Sequence, residues 1–164
     1  HSIVDPALHA RYVAQTRALS QAARRLARMA DGYRQGGDPG MARCVAHWLA
    51  AFARGSVLAG RIRGHQSLYV QDWMLGAFAI DWLKIRAAQG VAAESRRAVL
   101  PWFVALSRPV QQVDAAHPGR VDARNNHRYW AGMAVMAAGI AADRRDLNDW
   151  GLGSFQIAMA QITP

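Results

Sequence analysis

Apolar residues return every three to four positions along almost the whole chain, and the strict apolar/polar alternation that a half-buried strand needs is nearly absent. That periodicity restricts the chain to an all-α fold. Thirty-three alanines and fourteen glycines among the 164 residues narrow it further, because small side chains let helix backbones approach closely.

Six helices are expected. The first runs from about Pro6 to Ala30, with Leu19, Ala22, Leu26 and Met29 on one stripe, and closes at the Gly32 to Gly40 loop. Pro39 opens the second, which carries Cys44, Trp48 and Phe52 as far as Gly55. The third spans about Gln66 to Gln89, after the Gly60 to Gly64 loop, and the fourth about Ala92 to Ala116. Pro101 should break or kink the fourth helix, since proline lacks an N–H and crowds the preceding turn, and His117-Pro118-Gly119 should end it. The fifth follows Asp122 as N-cap, and the sixth begins near Asp146. Connections this short make neighbouring helices antiparallel hairpins, three in series. Trp48, Trp73 with Trp82, Trp130 and Trp150 each sit in Ala- and Gly-rich helical sequence, an echo that suits stacked helix pairs of a toroid or solenoid. No low-complexity tract or Pro/Ser linker marks a second domain, so residues 1–164 read as one helical domain.

The surface charge points to the partner. Nineteen arginines and Lys84 against eleven acids give a net charge of +9, a field that concentrates polyanions. An acidic polysaccharide, a nucleic acid or an anionic membrane surface would each satisfy it. No uninterrupted run of about 18 apolar residues is present, so no membrane span is expected. His1-Ser2-Ile3-Val4-Asp5 has neither the basic nor the apolar region of a signal peptide, so any export signal is expected outside this chain. Cys44 is the one cysteine, which rules out a disulfide within the chain, and its helical spacing from Leu49-Ala50-Ala51 places it in the core. The six histidines show no ligand spacing with Asp or Glu on one helix face, so no metal site is expected.

Two constellations carry chemistry. Asn125-Asn126-His127-Arg128-Tyr129-Trp130 sets two carboxamides and an imidazole beside aromatic rings at a helix start. The unpaired N–H groups and positive dipole end found there favour an anion, and a carboxylate would meet amide, imidazole and N–H donors together. Asn is a poor helix former that competes for backbone hydrogen bonds, so the pair either caps the helix or is kept for its amides. The second constellation is Gln66, Tyr69 and Trp73, at i, i+3 and i+7 on one helix face. An amide, a phenol and an indole suit a sugar, whose C–H face stacks on a ring while its hydroxyls take hydrogen bonds. A packed helix face with polar tips at its rim would show the same spacing.

Asn125-Asn126-His127-Arg128-Tyr129-Trp130-Ala131-Gly132 followed by Met133-Ala134-Val135-Met136-Ala137 resembles the signature of the alginate lyases of polysaccharide lyase family 5. Asp149-Trp150, Gln66-Ser67-Leu68-Tyr69-Val70-Gln71-Asp72-Trp73 and Ala42-Arg43-Cys44-Val45 fall in the family's order, so the resemblance covers most of the chain. It implies an (α/α) toroid with a deep cleft and cleavage of mannuronate-rich alginate by β-elimination, in a periplasmic or secreted setting. It also implies catalytic roles for Asn126 and His127. Asn126 would neutralise the uronate carboxylate, and His127 would assist it or act as base at C5. Gln66, Tyr69, Trp73, Asn125 and Trp130 would line the substrate, Trp130 and Tyr129 mainly as cleft structure. The implied partner is an anionic polysaccharide, with no cofactor, since β-elimination needs neither redox nor group transfer. The family's catalytic Tyr, and the Arg near it, belong to blocks that this sequence does not show, so the chain is expected to be part of a longer toroid.

A competing expectation follows from the basic pairs Arg24-Arg25, Arg96-Arg97 and Arg144-Arg145, which would suit a helical module that binds acidic polymers without chemistry. These pairs fall on separate helices and match no nucleic-acid motif, so acidic glycan is the preferred partner over nucleic acid.

Overall fold

The computed structural model describes residues 5–62, 64–116 and 124–162. Among them are six helices and no strand: α1 (Pro6–Gly36), α2 (Pro39–Arg54), α3 (His65–Ile85), α4 (Ala93–Ala116), α5 (Asn126–Ala142) and α6 (Arg145–Ile162). The first two start alike, with an aspartate cap followed by proline at the first helical position. Asp5 Oδ1 accepts from Ala7 N at 2.8 Å and Leu8 N at 3.1 Å, and Asp38 Oδ1 accepts from Gly40 N at 2.7 Å.

Several boundaries differ from those expected. Helix α1 continues past Ala30 to Gly36 and stops only where Gly37 turns left-handed at φ 73°. Gly32 inside that extension has a packing reason: a Cβ there would lie 2.7 Å from Met41 Sδ, so its absence lets α2 come close. Helix α3 ends at Ile85, short of Gln89. Helix α4 runs unbroken through both Pro101 and Pro109. Its buried Val99, Trp102, Phe103, Leu106 and Val110 hold it in place, and tertiary packing outweighs the loss at each proline. Asp122 and the His117-Pro118-Gly119 stop lie outside the described residues. Cys44 is half-buried rather than in the core, while Val45, Ala46 and Leu49 beside it are fully enclosed.

The helices form two layers rather than a plain series of hairpins. Helices α1, α3 and α5 lie side by side with α3 in the middle; α2 and α4 pack together behind them, and α6 packs against α5. Helix α3 therefore has α5 and α1 as its main neighbours, more than its hairpin partner α4. It also runs parallel to α5. Tyr69 meets His127, Gly76 faces Met133 and Ala134, and Arg86 Nη1 donates to the Ile140 carbonyl at 3.2 Å, so both numbers rise together along the contact.

The main core fills the space between the layers, with Trp82, Phe78, Phe103, Leu49, Leu75 and Ile85 enclosed. A smaller cluster of Leu68, Val110, Ala131, Val135 and Leu147 sits beneath the starts of α3 and α5. The α5–α6 contact depends on small residues. A Cβ on Gly132 would lie 2.3 Å from Ser154 Cβ, and one on Gly151 would lie 2.6 Å from both the Gly132 carbonyl and Met136 Cβ. Arg128 closes the corner between α4, α5 and α6, ion-paired to Asp114 and lying over the Trp150 ring at 4.0 Å.

Candidate functional site

The two sequence constellations meet at one place. The Tyr69 and His127 rings stack with centroids 3.8 Å apart and planes 11° from parallel, which joins the first turns of α3 and α5. Tyr69 continues a ladder on its own helix, with His65 and Trp73 each 6.4 Å away, ring to ring.

Asn125 and Asn126 have separate tasks. Asn125 is the N-cap of α5: its Oδ1 accepts from His127 N at 2.9 Å. The expected cap role therefore falls to Asn125 within the motif itself. Its carbonyl oxygen is committed to the helix, and so is the His127 N–H that an incoming anion would otherwise have met. Asn126 is the first helical residue and is exposed, with its carboxamide at the positive end of a 17-residue helix.

At roughly 100° of rotation per residue, the remaining positions sort into a front and a back. Gln66 and Trp73 fall on the side of α3 away from α4, and Asn126 and Trp130 fall on the matching side of α5. Gln66 and Asn126 are exposed, Trp73 is half-buried, and Trp130 is 47% exposed. Amides and indoles thus surround the Tyr69–His127 stack on its open side. Tyr129 is turned elsewhere. Its Oη lies 2.6 Å from Gln161 Oε1 and 3.2 Å from the Arg124 carbonyl, so the phenol ties α5 to α6 and does not enter this face.

Behind the stack the environment is dry. Gln71 donates from Nε2 to the Leu106 carbonyl at 2.7 Å, and Leu68 and Ala131 are buried. His127 Nδ1 is the enclosed ring nitrogen and has no hydrogen-bond partner, which leaves Nε2 as the nitrogen open to a ligand. Asp72, one turn after Tyr69, is also buried, and burial pushes its carboxyl up to about 8. Nothing in the motif spacing singled out Asp72. The available signal was an acid inside an otherwise apolar helical stretch, three residues from a site tyrosine.

The arrangement is one wall, open to solvent. Two of the molecule's concavities lie elsewhere, one of about 380 Å³ against α4 at Pro101 and Arg108, the other of about 310 Å³ at Arg43, His47 and Arg54. Among the described residues, no three of His, Cys, Asp and Glu come together in a group that could hold a metal ion.

The sequence profile of the family described as alginate lyase matches residues 1–164. A polysaccharide lyase of Stenotrophomonas maltophilia (strain K279a) is 36% identical over 164 residues, taking in 98% of this chain and 48% of that protein. An alginate lyase of Azotobacter vinelandii is 34% identical over 152 residues, 90% of this chain and 40% of that protein. Among solved structures, alginate lyase A1-III from Sphingomonas species A1 superposes with a TM-score of 0.82 at 25% identity, covering 98% of this chain and 44% of that one. A form of the same lyase complexed with a tetrasaccharide gives a TM-score of 0.83. The chain spans about half the length of the curated relatives it matches. A profile that matches from the first residue to the last shows that the chain belongs to the alginate lyase family.

Proposed function

We propose that this chain forms the carboxylate-neutralising wall of a lyase that cleaves alginate, poly-β-D-mannuronate or a related polyuronate, by β-elimination. One observation carries the reading: the 3.8 Å Tyr69–His127 stack joins the sugar-type face of α3 to the anion-type start of α5.

The chemistry needs such a wall. Removing the proton at C5 of a uronate places negative charge on a carboxylate that is already ionised, so the barrier stays high until that group is neutralised. The Asn126 carboxamide, the helix terminus and His127 Nε2 can each donate to it. Preorganised donors of this kind contribute roughly 3 kcal/mol each to the transition state. The electron pair left at C5 forms the C4–C5 double bond and expels the O4 glycosidic oxygen, which takes up a proton. His127 assists neutralisation or accepts the C5 proton, according to the stereochemistry of the sugar. Trp73 and Trp130 offer flat faces to sugar rings, and Gln66 and the Asn125 NH₂ group offer donors to hydroxyls. The tetrasaccharide held by the structural neighbour supports a polymeric sugar substrate. The family resemblance carries the expectation of a periplasmic or secreted setting; fractionation of cells producing the natural protein checks it, and activity confined to the cytoplasm would count against it.

The test is absorbance of the unsaturated uronyl product from polymannuronate, measured for this chain alone and joined to the remaining length that its relatives carry. Product whose formation falls about 10²-fold or more on Asn126→Ala is the expected result. Absence of product from both forms, across several polyuronates, would overturn the proposal.

A further inference from the structure

The pocket of about 310 Å³ between α2 and the start of α4 is lined by Arg43, His47 and Arg54 on one side and by Gly90, Glu94 and Ser95 on the other. Arg43, His47 and Arg54 follow one another at four and seven residues, so they form a single stripe along α2, with buried Ala46 and Ala50 as the floor between them. The pocket is remote from the Tyr69–His127 stack. Tyr69 stands in the second turn of α3 and Gly90 follows the far end of that helix at Ile85, which puts about 24 Å of helix between them.

Arg43 is held in advance of any ligand. Gly90 has φ 83°, and a Cβ there would lie 2.9 Å from Arg43 Cδ and 3.3 Å from its Nη1, so the bare glycine leaves room for the arginine stem to cross it. The guanidinium placed in this way is uncommitted. Among the described residues, the side chains of Arg43 and His47 make no hydrogen bond or ion pair, and the His47 ring meets only that of Trp48, edge-on at 6.1 Å. Arg54 reaches Glu94 Oε1 at 3.8 Å, but both side chains are more than half exposed, and so loose a surface pair opens at little cost. Trp48 itself is 49% exposed, which leaves an indole beside the histidine that lines the pocket.

We infer that this pocket is a second binding site for the acidic polymer, taking the carboxylate of one sugar unit on Arg43 and His47 and its hydroxyls on Glu94 and Ser95. A planar guanidinium matches a carboxylate with two parallel N–H donors. Two arginines against one glutamate leave a single positive charge, which suits a monoanion; Glu94 repels a doubly charged phosphate and accepts hydrogen bonds from hydroxyls. The volume suits one sugar ring rather than a length of polymer, and the exposed Trp48 indole offers the next ring a face to stack on. A long polymer held at two places is slow to leave, because the second contact acts at a high local concentration. The choice of a sugar acid rests on the polyuronate reading above, but binding at this pocket is read without any cleavage.

The experiment is backbone NMR of this chain carrying Asn126→Ala and His127→Ala, which removes binding at the wall, titrated with a mannuronate oligosaccharide at constant ionic strength. Saturable shifts at Arg43, His47, Gly90 and Ser95 are expected, and Arg43→Ala should weaken the binding about tenfold or more. His47→Ala should act in the same direction, and serves where Arg43→Ala does not fold. A neutral manno-oligosaccharide of equal length should give no such shifts, and an equal concentration of inorganic phosphate should leave them in place. Absence of the shifts, or an affinity unchanged in a folded Arg43→Ala or His47→Ala variant, overturns the inference. Displacement by phosphate, or equal binding of the neutral sugar, overturns it too. The lyase assay fails or succeeds separately: a chain that yields no unsaturated product can still show these shifts, and one that cleaves without them keeps its wall and loses this site.

Discussion

Adjacent asparagines at the start of α5 separate structure from chemistry, and single substitutions should separate them too. Asn125→Ala removes the acceptor for His127 N and should cost about 1 kcal/mol of stability, read from urea unfolding. Asn126→Ala changes an exposed side chain and should shift stability by less than about 0.5 kcal/mol while abolishing carboxylate recognition. Asp72 gives a prediction in pH. Its native value of about 8 lies above the 3.8 of an unperturbed aspartate, so across that interval the native state binds more protons than the unfolded chain. Its contribution to stability is therefore fully present below about pH 4 and is lost as pH rises through 8. Unfolding of Asp72→Leu should lack that component and gain on the order of 1–3 kcal/mol over wild type at pH 8; equal slopes for the two proteins would contradict the account. Much of the site was legible at this scale, because i, i+3, i+7 spacing sets Gln66, Tyr69 and Trp73 on one face whatever surrounds them. Which asparagine capped the helix was not, since either of two adjacent asparagines suits both tasks and only the backbone start decides. Asp72 was hidden for another reason: its burial is a tertiary property and leaves no local pattern.

Elements hold together here through close approach and a few buried polar ties. Gly132→Ala would drive a methyl into Ser154 Cβ, 2.3 Å from the new atom, and should destabilise by roughly 1–3 kcal/mol through overpacking. Gly153→Ala, with nothing within 4 Å, should instead stabilise by about 0.5–1 kcal/mol by restricting the unfolded chain and favouring helix. Thermal melts of the two variants should move in opposite directions, and a parallel shift would show the α5–α6 packing to be misassigned. Lys84 ties α1 to α3, reaching Asp31 at 2.7 Å and the buried Asp81 at 3.4 Å. Burial raises Asp81 to about 6, against the pull of Lys84. Helix positions were legible from periodicity and from proline at a first helical position, as the starts at Pro6 and Pro39 illustrate. The continuous course of α4 was not, because local proline chemistry forecasts a break while its buried aromatic face, a long-range property, prevents one.

At the scale of the molecule, layering explains why two segments nearly sixty residues apart form one site. Parallel packing of α3 on α5, with α4 behind, turns both helix starts to the same end and leaves their polar residues on one open wall. Sequence periodicity gave no indication of the parallel pairing, which depends on α3 lying between α1 and α5. The net charge of +9 adds long-range attraction for a polyanion, so binding should weaken as salt rises, while loss at Asn126 and His127 should persist at every salt concentration. The most direct measurement is backbone NMR of this chain titrated with a mannuronate oligosaccharide. Shifts should centre on residues 65–73 and 125–130 and be lost in an Asn126→Ala, His127→Ala double variant. Shifts centred instead on Arg24-Arg25, Arg96-Arg97 or Arg144-Arg145, and unchanged in that variant, would contradict it.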